Sequence, residues 1–82
     1  MSAYENMLEQ FPDESFLIAN GLNDAIVGVE LLTMRVVYNA EEVVQILQRD
    51  RDMTEEDAVE FYEFNIAGAW MGEKTPIFMH PL

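Results

Sequence analysis

Ala25-Ile26-Val27-Gly28-Val29-Glu30-Leu31, then Met34-Arg35-Val36-Val37-Tyr38, then Asn39-Ala40-Glu41-Glu42 leading into Val43, Val44, Ile46 and Leu47, read as strand, strand and helix. The first two runs are rich in β-branched side chains, which suit a pleated, half-buried surface, and Gly28 punctuates the first as glycine does at a bulge. They predict an antiparallel hairpin, although the link between them lacks the Asn-Gly or Asp-Gly pair that would set its register. In the third run the apolar residues recur at helical spacing. Asn39 can cap its first turn, and Glu42 three residues on completes a box-like arrangement.

Toward the C-terminus, Thr54 with Asp57 marks a second helix start. That helix is expected to run through Ala58, Phe61, Tyr62 and Asn65, past the small residues Ala67, Gly68 and Ala69, to a stop at Gly72. After Pro76, which suits a strand start or edge, Ile77-Phe78-Met79 reads as a third strand added to the hairpin. Toward the N-terminus, Ser2 can cap a short helix in which Tyr4, Met7, Leu8 and Phe11 share a face and which Pro12 ends. No repeat, linker or low-complexity tract interrupts the pattern. The predicted architecture is one small acidic α+β domain over residues 1–82, in the order α-β-β-α-α-β, with an antiparallel hairpin plus a C-terminal strand packed against two helices.

Sixteen Asp and Glu face four Lys and Arg, a net charge of −12 in a chain that is half hydrophobic. The apolar half is enough for a core, so disorder is not expected. The charge repels nucleic acid and anionic membrane and favours basic protein surfaces and cations as partners. Mutual repulsion among the carboxylates also opposes folding, so added salt, mild acid or a partner should stabilise the fold. No cysteine is present, which removes disulfides, thiolate catalysis and cysteine zinc sites. The first residues resemble no secretory signal, and no apolar run approaches the roughly 20 residues of a membrane span.

Glu41, Glu42, Glu55, Glu56 and Asp57 all fall in predicted first turns, where the helix dipole favours carboxylates, and Arg49 and Arg51 obey the same rule at a C-terminus. Glu60 and Glu63 lie too deep in their helix for that account. With Glu56 they form a row of like charges about 5 Å apart, each pair costing about 0.2–0.5 kcal/mol. Such a row is a crude imitation of a phosphate backbone, the physical basis of DNA mimicry; the plainer reading is a solvated face that keeps an apolar helix soluble. Around the same helix Val59, Ala58, Phe61, Tyr62, Phe64, Asn65 and Ile66 cover an arc of about 220°, against the roughly 100° a surface helix needs. Either this helix is central to the core or part of it is covered by a partner or a second copy, with Tyr62, Phe64 and Trp70 as the candidate oligomer seam. Asn65, inside that arc, is expected to hydrogen-bond the backbone of a neighbouring loop.

Motifs for catalysis and ligation are missing. Asp50-x-Asp52-x-Thr54-x-Glu56 begins like a calcium loop, yet Glu55 stands where the turn needs Gly and Phe61 where a bidentate Glu belongs. His80 is the only histidine, expected as an exposed tail residue, so no histidine dyad or multi-histidine metal site forms within one chain. The four glycines match no phosphate-binding pattern. An 82-residue domain is also expected to offer little room for a cleft of about 300 Å³ or more. Neither catalytic, cofactor nor metal residues are assigned.

The run Met53-Thr54-Glu55-Glu56-Asp57-Ala58 and the segment Phe64-Asn65-Ile66-Ala67-Gly68-Ala69-Trp70-Met71-Gly72-Glu73-Lys74-Thr75-Pro76-Ile77-Phe78 resemble small uncharacterised proteins of tailed bacteriophages. Gly21-Leu22-Asn23-Asp24-Ala25-Ile26-Val27-Gly28 and Val37-Tyr38 ahead of a helix are similar as well, so the resemblance covers about two-thirds of the chain. It implies a phage origin and action in the host bacterial cytoplasm, and carries over no site residue. The expectation is a non-catalytic protein-interaction module that presents Glu56, Glu60 and Glu63, with Asp50 and Asp52, to a basic surface of a host nucleic-acid-binding enzyme or defence complex. The alternative is a self-assembling, homodimeric structural or accessory protein.

Overall fold

The computed structural model describes residues 2–82. Helix α1 (Ala3–Gln10) starts where the Ser2 hydroxyl accepts from the Glu5 N–H. Strands β1 (Ile26–Glu30) and β2 (Arg35–Asn39) form the hairpin, and α2 (Ala40–Arg51) follows β2 directly. Helix α3 (Glu55–Phe61) runs into a π-helical segment (Tyr62–Ala67), and β3 (Ile77–Met79) completes a sheet of order β1-β2-β3. The α+β order expected from the sequence is the order observed.

The hairpin is antiparallel, and its register is broken once: Ile26 faces Tyr38 and Gly28 faces Val37, so Val27 is the extra residue of a bulge. β3 joins β2 in parallel, with Val37, Tyr38 and Asn39 opposite Ile77, Phe78 and Met79. A parallel neighbour needs a long crossover, which α2 and α3 supply.

Alternation along β2 divides the sheet. Val36 and Tyr38 are fully buried, whereas Arg35, Val37 and Asn39 on the other face are half-buried. The core lies on the Tyr38 side, where Val43, Ile46 and Leu47 of α2, Met7 of α1, Ile26 of β1 and Ala58 of α3 meet, with Leu22 and Ala25 from the connecting segment. Tyr38 stacks on Phe78 at 5.4 Å, and Phe78 meets the edge of Tyr62 at 5.6 Å, so one aromatic row joins the core to the π-helical segment.

Three expectations are corrected. Helix α3 is not the centre of the core: Ala58 is its only buried residue, while β2 and α2 hold the largest fully buried side chains, Tyr38, Val36 and Val43. Leu8 is 43% exposed, so the buried stripe of α1 narrows to Met7 with Tyr4 alongside. The second helix ends at Gly68, not Gly72. Gly72 has φ +102° and sits instead in a tight turn, where its carbonyl accepts from both the Thr75 N–H and the Thr75 hydroxyl while Thr75 Oγ1 accepts from the Met71 N–H. That buried threonine delivers the chain into β3, helped by the Arg35 guanidinium, which donates to the Thr75 carbonyl.

Candidate functional site

Each of the four basic side chains is engaged within the fold. Arg35 binds the Thr75 carbonyl, Arg49 pairs with Asp50 at 2.8 Å and Asp24 at 3.8 Å, Arg51 lies over the Phe61 ring at 5.0 Å, and Lys74 pairs with Glu14 at 3.0 Å. Of the sixteen carboxylates only Glu14, Asp24 and Asp50 therefore have a cation within 4 Å among the described residues, which leaves thirteen without one. Five of these, Glu55, Glu56, Asp57, Glu60 and Glu63, lie within nine residues, and all five are exposed.

The placement of the expected residues is uneven. Asp50 is held by Arg49, whose hydrogen bond keeps its carboxyl below the usual aspartate range. Asp52 ends α2 in the left-handed conformation at φ +54°, beside the negative end of the helix dipole, so two local preferences act against a carboxylate there. Glu56 and Glu60 stand on the solvent side of α3. Glu63 follows Tyr62 at the start of the π-helical segment, and with Glu55 and Val59 it lines a groove between α3 and α2.

That groove has a volume of about 400 Å³. Its apolar floor is Val44, Val59 and Tyr62, its walls carry Glu41, Glu55 and Glu63, and His80 stands at one end. Burial raises the Tyr62 hydroxyl above the usual tyrosine range, and the Glu63 charge pushes it the same way. A second groove of about 390 Å³ shares Tyr62 and runs between Ala67–Trp70 and Thr75–Phe78, with Arg35 beside it. The small domain thus has more room than its length suggests, because α3 fully buries only Ala58 and leaves open flanks beside α2. Among the described residues no group of three or more His, Asp or Glu side chains is arranged to hold a metal ion. No helix among them is long and apolar enough to cross a membrane.

Of the expected aromatic seam, Phe64 is 79% and Trp70 75% exposed and Tyr62 is half-buried; Tyr62 and Trp70 share the second groove, which Phe64 does not line. Asn65 is exposed and makes no side-chain hydrogen bond among the described residues, contrary to the expected structural role. Phe64 and Asn65, both within the arc on which that expectation rested, are exposed.

Sequence reading missed the hairpin tip. The Glu30 carboxylate accepts from the Leu32 N–H, the Thr33 N–H and the Thr33 hydroxyl, and these bonds, the hydroxyl foremost, lower its pKa. They fix a four-residue link in which Leu31 and Leu32 are 71% and 95% exposed and Met34 has φ +57°. Glu30-x-x-Thr33 was the available signal. No protein-family model, curated protein or solved structure matches this chain.

Proposed function

We propose that the chain is a non-catalytic protein-interaction module that docks its acidic α3 side onto a basic surface of a partner protein. The observation that carries this is the internal engagement of all four cations, which leaves the Glu55–Glu63 carboxylates uncompensated at the surface. Like charges so placed cost stability in the free protein, and a basic partner relieves that cost on binding. The docking face comprises Glu56, Glu60 and Glu63, with Asp52 at the preceding helix end, and the geometry adds Glu55 and Glu41 across the groove. Asp50, already satisfied by Arg49, contributes least.

The resemblance to phage proteins makes a host nucleic-acid-binding enzyme or defence complex the natural target, reached in the bacterial cytoplasm and blocked where it would hold phosphates. The test uses the purified protein as bait in bacterial lysate at low and high salt. Salt-sensitive retention of one nucleic-acid-handling protein supports this reading; retention that is unchanged between the two salts contradicts it.

The exposure of Phe64 and Trp70 favours a second reading, self-association. It requires a mass that rises with concentration, and a Glu60→Lys, Glu63→Lys double variant that behaves normally.

A further inference from the structure

The parallel addition of β3 leaves the sheet with an open edge in an unusual place. β2 occupies one side of Ile77–Met79; among the described residues no strand pairs with the other side, and no loop or cap backbone bond reaches these three residues. Natural edges are commonly blunted by shortness, lysine, proline or a bulge, as β1 is at Val27. β3 is short and flanked by Pro76 and Pro81, yet no lysine, proline or bulge interrupts Ile77–Met79 itself. Instead the two grooves follow it, one beside Pro76, Ile77 and Phe78 and the other at His80, with Tyr62 common to both. From Pro76 to His80 an extended chain covers about 13 Å, so four to five residues of a partner strand would lie against both grooves.

We infer that the free edge of β3 receives an extended, basic segment of the partner protein as a fourth strand. Main-chain pairing with an open edge supplies affinity irrespective of sequence, and side chains pointing alternately into flanking grooves supply specificity. The chemistry of the grooves sets the order of those side chains. At the Pro76 end the walls are Trp70, Ile77 and the small Ala67 and Gly68, with the Arg35 guanidinium nearby, so an apolar residue fits and a basic one is repelled. At the His80 end a Lys or Arg can lay its aliphatic stem on Val44 and Val59 and bring its head group to Glu41, Glu55 and Glu63. A second copy of this chain is the wrong occupant, because two copies of net charge −12 repel and all four basic side chains are already used.

This rests on the reading of the chain as a module for a basic partner, and the experiment separates the two. A library of randomised decapeptides is selected on the folded protein, and the strongest binder is titrated into isotope-labelled protein. The expected peptide carries β-branched or apolar residues toward one end and Lys or Arg toward the other, shifts the amides of Ile77, Phe78 and Met79, and changes the fluorescence of Trp70, the only tryptophan. Two analogues are then N-methylated on alternate residues, one set and then the other. Strand pairing requires that one set weaken binding by about tenfold or more and the other leave it nearly unchanged. Equal tolerance of both sets, shifts confined to another face, a dimer formed through β3, or selection of no binder overturns the inference. Binding that discriminates the two sets but ignores salt keeps the added strand and overturns the carboxylate reading instead.

Discussion

The hydroxyl of Tyr38 accepts a 2.9 Å hydrogen bond from the backbone N–H of Ala19, nineteen residues earlier in the chain. Tyr38 is wholly buried in the middle strand, so this single bond ties the irregular segment between α1 and β1 to the centre of the core, where Phe16, Ile18 and Ala19 pack. Tyr38→Phe keeps the ring, its stacking on Phe78 and the volume, and removes only the acceptor. An unpaired, part-buried N–H costs about 1–3 kcal/mol, so denaturant unfolding should shift to a lower midpoint by that amount with an unchanged slope. An unchanged midpoint would mean that water replaces the phenol without loss.

The same residue predicts an alkaline limit. Burial raises the Tyr38 pKa above its ordinary value of 10.0, outweighing the Ala19 hydrogen bond, and burial does the same for Tyr62. A raised folded-state pKa gives stability that is complete below the unfolded value of 10.0 and is lost as pH rises through the folded value. Ultraviolet titration should therefore show Tyr38 ionising together with unfolding. Smooth ionisation of all three tyrosines in the folded state would contradict this.

At the acid end two hydrogen-bonded carboxylates set the sign. The lowered pKa of Glu30, set first by the Thr33 hydroxyl, and that of Asp50, set first by the Arg49 hydrogen bond, make stability that is present above the unfolded carboxylate pKa and lost as pH falls through the folded one. In Thr33→Val the Glu30 part shrinks, so the variant should lose less stability on acidification than the parent, measured as melting temperature against pH.

Asp52 should be more stable as glycine. Asp52→Gly removes a left-handed non-glycine conformation and a carboxylate at a helix C-terminus, a gain of about 1 kcal/mol by thermal unfolding. If the carboxylate serves the partner, the stabilised variant binds it more weakly; equal binding would remove Asp52 from the docking face.

These residues also show what was legible in the sequence. Ser2, Asn39 and Thr54 cap their helices as side-chain chemistry dictates, because capping depends on a few neighbours: the Asn39 carboxamide accepts from Glu41 and Glu42, and the Thr54 hydroxyl from Asp57. The Glu42 half of the expected box does not form. The π-helical turn was not legible. Nothing in Tyr62–Ala67 announces it, and Phe64 and Asn65 within it are both exposed. The helix stop was read at Gly72, but the helix ends at Gly68, and the Thr75 N–H and hydroxyl, three residues on, hold Gly72 in the later turn instead. The grooves arise from packing between elements distant in sequence, which composition and periodicity do not encode.

The most direct test of the acidic docking face is the affinity of the captured partner for the parent chain and for Glu60→Lys with Glu63→Lys, each measured across a range of salt. Two reversed charges on an exposed helix face should leave the fold intact while weakening binding by about tenfold or more at low salt and flattening its salt dependence. The same affinity and the same salt slope in both proteins would contradict the docking of α3 on a basic surface.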